Sequence, residues 1–169
     1  MRSCLKFCIN ILLVQIIVLF PVISQANNEE TNTILAKINK RGYKSLSVND
    51  ALNLMSNLMD DKKTCKKGGL SKQVDFLKLK QIFEKNIRKS SAKAGIGLLY
   101  IANAEYYILT DYKHCKQRGY MSGFALKRIE KKSINKGISY LRRAYQLSNP
   151  VARYWYGNLL LNPYLVHTK

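Results

Sequence analysis

His114 and His167 are the two histidines of the chain. A metal site needs ligands converging from fixed spacings, and an acyl-transfer triad needs a histidine beside a hydroxyl or thiol. His114 stands in a Lys-rich stretch and His167 near the end, and neither has such a spacing. The sequence contains no G-x-S-x-G, H-E-x-x-H, phosphate-binding Gly-rich loop or Cys-x-x-Cys. The carboxylates Asp50, Asp60, Asp61, Asp75, Glu84, Glu105, Asp111 and Glu130 are scattered. Glu105, on an Ala/Gly-rich segment, either faces a groove or is a solvated surface group. The expectation is a protein that is not an enzyme, with no metal, no other cofactor and no small-molecule substrate.

The cysteines bear on location rather than catalysis. Cys4 and Cys8 fall in an N-terminal stretch that starts with Arg2 and Lys6, continues through the apolar Ile11–Phe20, meets Pro21 and ends in Ser24-Gln25-Ala26. A positive start, a short apolar middle and a small-residue end is the layout of a secretory signal peptide, here residues 1–26. The rival is an uncleaved membrane anchor, which the shortness of the apolar run and Asn10 and Gln15 within it disfavour. The expected location is periplasmic or secreted. Export would leave Cys65 and Cys115 as an even pair in an oxidising compartment, which suggests a disulfide. Closing that loop would contribute roughly 4 kcal/mol in the chain-entropy picture. Two unpaired thiols are the other reading.

The rest of the chain must position whatever it binds. It has 169 residues, 47% of them hydrophobic, enough for a packed core and too many for a disordered basic tail. Residues 27–45 are polar and basic and read as a loosely ordered leader, with a short helix ended by Gly42. Residues 46–169 read as a helical domain. Ser47 and Asp50 have capping-box spacing, and Val48, Leu52, Met55 and Met59 follow as an apolar stripe, flanked by Leu54 and Leu58. Ser71 can cap a helix whose stripe is Phe76, Leu79, Phe83 and Ile87, with Leu77 and Ile82 beside it. Ser90-Ser91 opens a third helix to about Leu109. A short basic helix near Ser122–Lys132 precedes Ile134–Leu147. Asn149-Pro150 starts the last helix, to Leu161, because Asn caps and Pro fits the first turn. No period-two segment occurs beside a turn, so an all-α fold is expected.

Two of these helices repeat each other. Ala92-x-x-x-Ile96-Gly97-x-Leu99-Tyr100 aligns with Ala152-x-x-x-Tyr156-Gly157-x-Leu159-Leu160. Small residues on neighbouring turns let a second helix approach closely, and a mid-helix Gly, which costs about 1 kcal/mol against Ala, usually has such a packing reason. Between them run Lys136, Gly137, Tyr140, Leu141 and Ala144. With Ala152–Leu160 this stretch resembles the Sel-one-like repeat family, relatives of tetratricopeptide repeats, in which one helix reads K-A-x-x-W-[YLF]-x-x-A-A and the next A-x-x-x-L-G-x-x-Y. Gly137, Tyr145, Ser148 and Leu160 depart from the Ala, Ala, turn Gly and Tyr of that pattern. The resemblance implies antiparallel helix pairs stacked as a short array, with Ala92, Ile96, Gly97, Leu99, Tyr100, Tyr140, Leu141, Ala144, Ala152, Tyr156, Gly157 and Leu160 at packing places. It also implies a concave face for an adaptor or regulator, or for a periplasmic immunity-type inhibitor.

Twenty-nine Lys and Arg stand against ten acidic residues, a formal charge of +19. Such a field steers an acidic partner, or it is no more than solvated helix faces. Lys127, Arg128, Lys131 and Lys132 supply one cluster. Arg153, Tyr154 and Trp155 supply another, because Trp, Tyr and Arg dominate binding hot spots; the other reading of Tyr154 and Trp155 is a cap over the last helix. The expected partner is an acidic protein; an anionic envelope polymer or lipid is the alternative, and the export signal argues against nucleic acid.

Overall fold

The structure is a computed structural model. It describes residues 29–60, 73–106 and 128–161, and every regular element within them is helical. Helix α1 spans residues 29–41. Gly42, at φ 72°, reverses the chain into a single 3-10 turn at Tyr43–Ser45. Then come α2 (Val48–Asp60), α3 (Phe76–Lys85), α4 (Ser90–Tyr106), α5 (Arg128–Gln146) and α6 (Pro150–Leu161). No helix among the described residues is long and apolar enough to cross a membrane.

The expected short helix ended by Gly42 starts earlier, at residue 29, so most of the expected loose leader is a folded helix. Thr31, Ile34 and Ile38 recur at three and four residues on α1, and all are buried. Antiparallel α2 holds this helix through three polar contacts: Asn53 Nδ2 donates to Glu30 Oε1 at 2.6 Å, Asn57 Nδ2 to Thr31 Oγ1 at 2.7 Å, and Lys37 Nζ to Asp50 Oδ2 at 2.6 Å. Asp50 also closes the capping box that opens α2. Its backbone N–H donates to Ser47 Oγ at 3.0 Å, while the Ser47 N–H donates to Asp50 Oδ2 at 3.1 Å.

Helix α3 starts at Phe76, capped by Asp75 Oδ1, which accepts the N–H groups of Leu77 and Lys78. The cap is thus Asp75, next to the first buried aromatic; Ser71, the expected cap, lies outside the described residues. Phe76, Leu79 and Phe83 are fully buried, whereas Leu77 and Ile87 stand at 40% and 37% exposure, so the buried stripe is narrower than the apolar one.

Helix α4 is the centre of the fold, packed against α2, α3 and α5. From Ala92 to Ala104 it buries nearly every side chain, as a helix that is apolar all round must. Phe83 lies against Gly95, where a Cβ would fall inside the ring. On another side α4 meets α5 antiparallel, Gly97 against Gly137 and Leu141.

Helix α5 is one continuous rod where two helices were expected. The break was read at Ser133, but no Pro or Gly interrupts the chain there, and the Ser133 hydroxyl donates to the Tyr100 carbonyl at 2.7 Å instead of capping. Ile134, Gly137, Leu141 and Ala144 form its buried stripe. The chain then turns into α6 through Ser148, at φ 58°, with the Asn149 N–H reaching back to the Ala144 carbonyl at 3.1 Å. Asn149, 5% exposed, caps α6 by accepting the Ala152 N–H at 2.9 Å. Its amide also reaches Ser91 Oγ at 3.5 Å, and Ser91 donates to Asn49 Oδ1 at 2.7 Å. The N-terminal ends of α2, α4 and α6 are thus linked by side chains.

Candidate partner-binding face

The outward side of α5 carries Lys132, Lys136, Ser139 and Arg143 in register, with Arg142 beside them, all exposed. Four and three residues between neighbours keep them on one helix face. Residues 128–161 contain seven Lys and Arg and one acidic residue. The ion pairs among the described residues are Lys37–Asp50, Lys78–Asp75 and Lys80–Glu84, all within α1–α3 and the Asp75 cap. Lys131, Lys132, Lys136, Arg142, Arg143 and Arg153 therefore have no carboxylate oxygen within 4.0 Å among the described side chains.

The two expected clusters do not merge. Lys132 and Arg142 are separated by about 15 Å along the axis at the usual rise per residue. Arg153 follows the tight turn at the far end of α5, in the first turns of α6, next to the Arg142 end of the rod. Lys127 lies outside the described residues, as does the side chain of Arg128; Lys131 is half-buried and Lys132 exposed. Cys65, Cys115, His114, His167, residues 1–26 and the Glu105 side chain are likewise outside.

The aromatic pair divides by role. Tyr154 is 54% exposed, while Trp155 is half-buried and its Nε1 donates to Ser56 Oγ on α2 at 2.9 Å. Trp155 braces α6 against α2, so it is not the free anchor its residue type suggested. Tyr154 packs on it edge-to-face, with ring centroids 5.3 Å apart, and stays open to solvent. Tyr145 and Tyr156 meet at 5.6 Å across the α5–α6 turn.

Around Tyr100 the packing is close. Tyr140 stacks on it at 6.1 Å and Lys136 Nζ lies 4.6 Å from its ring centroid. The Tyr100 hydroxyl and its negative potential raise the Lys136 ammonium above the ordinary lysine pKa of 10.5, so Lys136 is fully charged at neutral pH.

Of the repeat packing places, Ala92, Ile96, Leu99, Leu141, Ala144 and Ala152 are buried, Gly97 lies at the α4–α5 contact, and Tyr100, Tyr140 and Tyr156 pack against the core. Two depart. Leu160 is 51% exposed, and a Cβ on Gly157 would meet no described atom within 4 Å. Helix α6 is apposed to α5 through Ala152 and Tyr156, so the positions that repeat in sequence are not all used alike.

Among the described residues no three His, Cys, Asp or Glu side chains gather as a metal set. Comparisons with protein-family models, with curated proteins and with solved structures find no match.

Proposed function

We propose that the chain is an exported, non-catalytic helical protein, built on Sel-one-like repeats, that docks an acidic protein partner as an adaptor or immunity-type inhibitor. The observation that carries this reading is the combination on α5 and α6 of exposed Arg142, Arg143 and Arg153, with no carboxylate partner among the described residues, and the exposed ring of Tyr154. Export rests on the layout of residues 1–26, and the Cys65–Cys115 bridge rests on that export. Arginine heads supply bidentate pairing to carboxylates, and a rigid Tyr supplies area at low entropic cost. The cations speed encounter and the aromatic contact slows release.

The same charge also suits an anionic envelope polymer or lipid, and salt separates the two. Binding by neutralisation alone falls steeply with ionic strength, while a docked apolar centre retains affinity. The test is partner binding at low and high salt for the wild-type chain, Tyr154→Ala and Lys132→Ala. A protein-docking face requires Tyr154→Ala to weaken binding more than Lys132→Ala at high salt. Binding that vanishes with salt and ignores Tyr154 assigns the face to an anionic surface.

A further inference from the structure

A cleft of about 560 Å³ opens between the Gly42–Leu46 turn and the outer side of α3. Arg41, Lys44, Lys78 and Lys85 line it, with the Tyr43 ring and Ile82 as apolar wall, and no acidic side chain is among its lining residues. Asp75, 3.7 Å from Lys78, is already held by the N–H groups of Leu77 and Lys78. Among the described residues Arg41, Lys44 and Lys85 have no carboxylate oxygen within 4.0 Å.

The arrangement is braced. The Tyr43 hydroxyl accepts the Asp75 N–H at 2.5 Å, which ties the turn to the start of α3. Lys78 Nζ lies 5.5 Å from the centroid of the Tyr43 ring. Burial raises the Tyr43 phenol above its ordinary pKa of 10.0, with the nearby Asp75 charge adding to the rise and the hydrogen bond from its N–H opposing it, so the hydroxyl stays neutral. Four cations from two sequence-distant segments thus line one volume, and of these Arg41, Lys44 and Lys85 have no carboxylate within 4.0 Å among the described residues.

We propose that this cleft binds a ligand bearing a diphosphate group on an apolar or aromatic body. A single carboxylate would satisfy one Arg fork and leave three cations facing each other. A compact group of several negative charges offers oxygens to more than one of them, and phosphate oxygens accept from a planar guanidinium and from point-like ammonium groups alike. The volume lies in the range of small-ligand sites. Tyr43 and Ile82 offer a surface for the body that carries the phosphates. The cleft belongs to α1–α3 and is separate from the α5–α6 face.

The test is calorimetric titration of the full chain with inorganic pyrophosphate, and with citrate as a compact polycarboxylate. The expected result is one site per chain with a Kd below about 1 mM, citrate weaker by about tenfold or more. Arg41→Gln with Lys85→Gln, both at exposed positions, weakens pyrophosphate binding about tenfold or more. Arg142→Gln with Arg143→Gln, which removes the same charge elsewhere, leaves it within about twofold. Absence of saturable binding, equal binding of citrate, or equal weakening by both double variants overturns the proposal. A nucleoside diphosphate and a short prenyl diphosphate identify the body: tighter binding than pyrophosphate by either supports the apolar wall, and tighter binding by neither overturns it.

Discussion

Gly97 and Gly137 face each other across the α4–α5 crossing so closely that a Cβ on Gly97 would lie 3.0 Å from the Gly137 carbonyl oxygen. A Cβ on Gly137 would lie 2.8 Å from that of Gly97. Backbone meets backbone there, so neither side can yield by rotating a side chain. Alanine is the better helix former by about 1 kcal/mol, yet overpacking costs about 1–3 kcal/mol, and contact with backbone puts these sites at the upper end. Gly97→Ala and Gly137→Ala should each lower the urea midpoint. Their double variant should cost less than the two together, because the first displacement opens room for the second. Gly157→Ala, with open space among the described residues, should gain up to about 1 kcal/mol. A loss at Gly157 equal to that at Gly137 would contradict this packing.

Ser148 holds the left-handed conformation that ends α5. For a residue with a Cβ that region costs about 1–2 kcal/mol, partly offset by the greater freedom glycine has when unfolded. Ser148→Gly should therefore raise stability by up to about 1 kcal/mol. Asn149→Ala should lower it by about 1–2 kcal/mol, through the lost α6 cap. Thermal unfolding of the two variants checks both signs.

Asp50 sets an acid sensitivity. Partial burial opposes its charge, but the Lys37 ammonium and the Ser47 N–H and hydroxyl outweigh that and hold its pKa below 3.8. A carboxyl whose folded pKa is depressed stabilises the fold above its unfolded pKa, and that stability is lost as pH falls through the folded value. Asp50→Asn should thus be less stable than wild type at about pH 6, with the gap closing as the solution is acidified below the ordinary carboxylate range. Urea midpoints across that range test the sign. A gap that widens on acidification would refute it.

Ser56→Ala leaves the indole in place and removes the bond from Trp155 Nε1, and should cost about 1 kcal/mol. Trp155→Ala also empties the space between α6 and α2, and should cost about 3–5 kcal/mol. Tyr154→Ala, at an exposed ring, should leave the unfolding midpoint nearly unchanged while weakening partner binding. That separation distinguishes the brace from the anchor.

Much of this was legible where the signal is local. The Ser47–Asp50 box and the Asn149-Pro150 start are fixed by neighbours within one turn, and both form as their spacing demands. Gly97 could be marked from its place in a helix, but its partner Gly137 showed only as a departure from a repeat pattern. Which glycine faces which is decided by how two helices cross. Gly95 gave no signal apart from the Phe83 ring it accommodates. Helix α1 was legible at its end, at Gly42, but not at its start, because Ile34 and Ile38 make a narrow stripe in a polar stretch and α2 supplies the polar contacts that complete it. The cleft at Arg41–Leu46 and Lys78–Asn86 joins segments far apart in sequence, so no spacing could reveal it.

The most direct test of the docking face is site-specific photo-crosslinking in the cell that makes the chain. One reactive group replaces Tyr154 and a control replaces Lys40, an exposed residue on α1. The expected result is a discrete protein adduct at Tyr154 that is absent at Lys40 and reduced by Arg142→Glu with Arg143→Glu. No adduct at Tyr154, or the same adduct at both positions, would contradict a partner-binding face on α5 and α6.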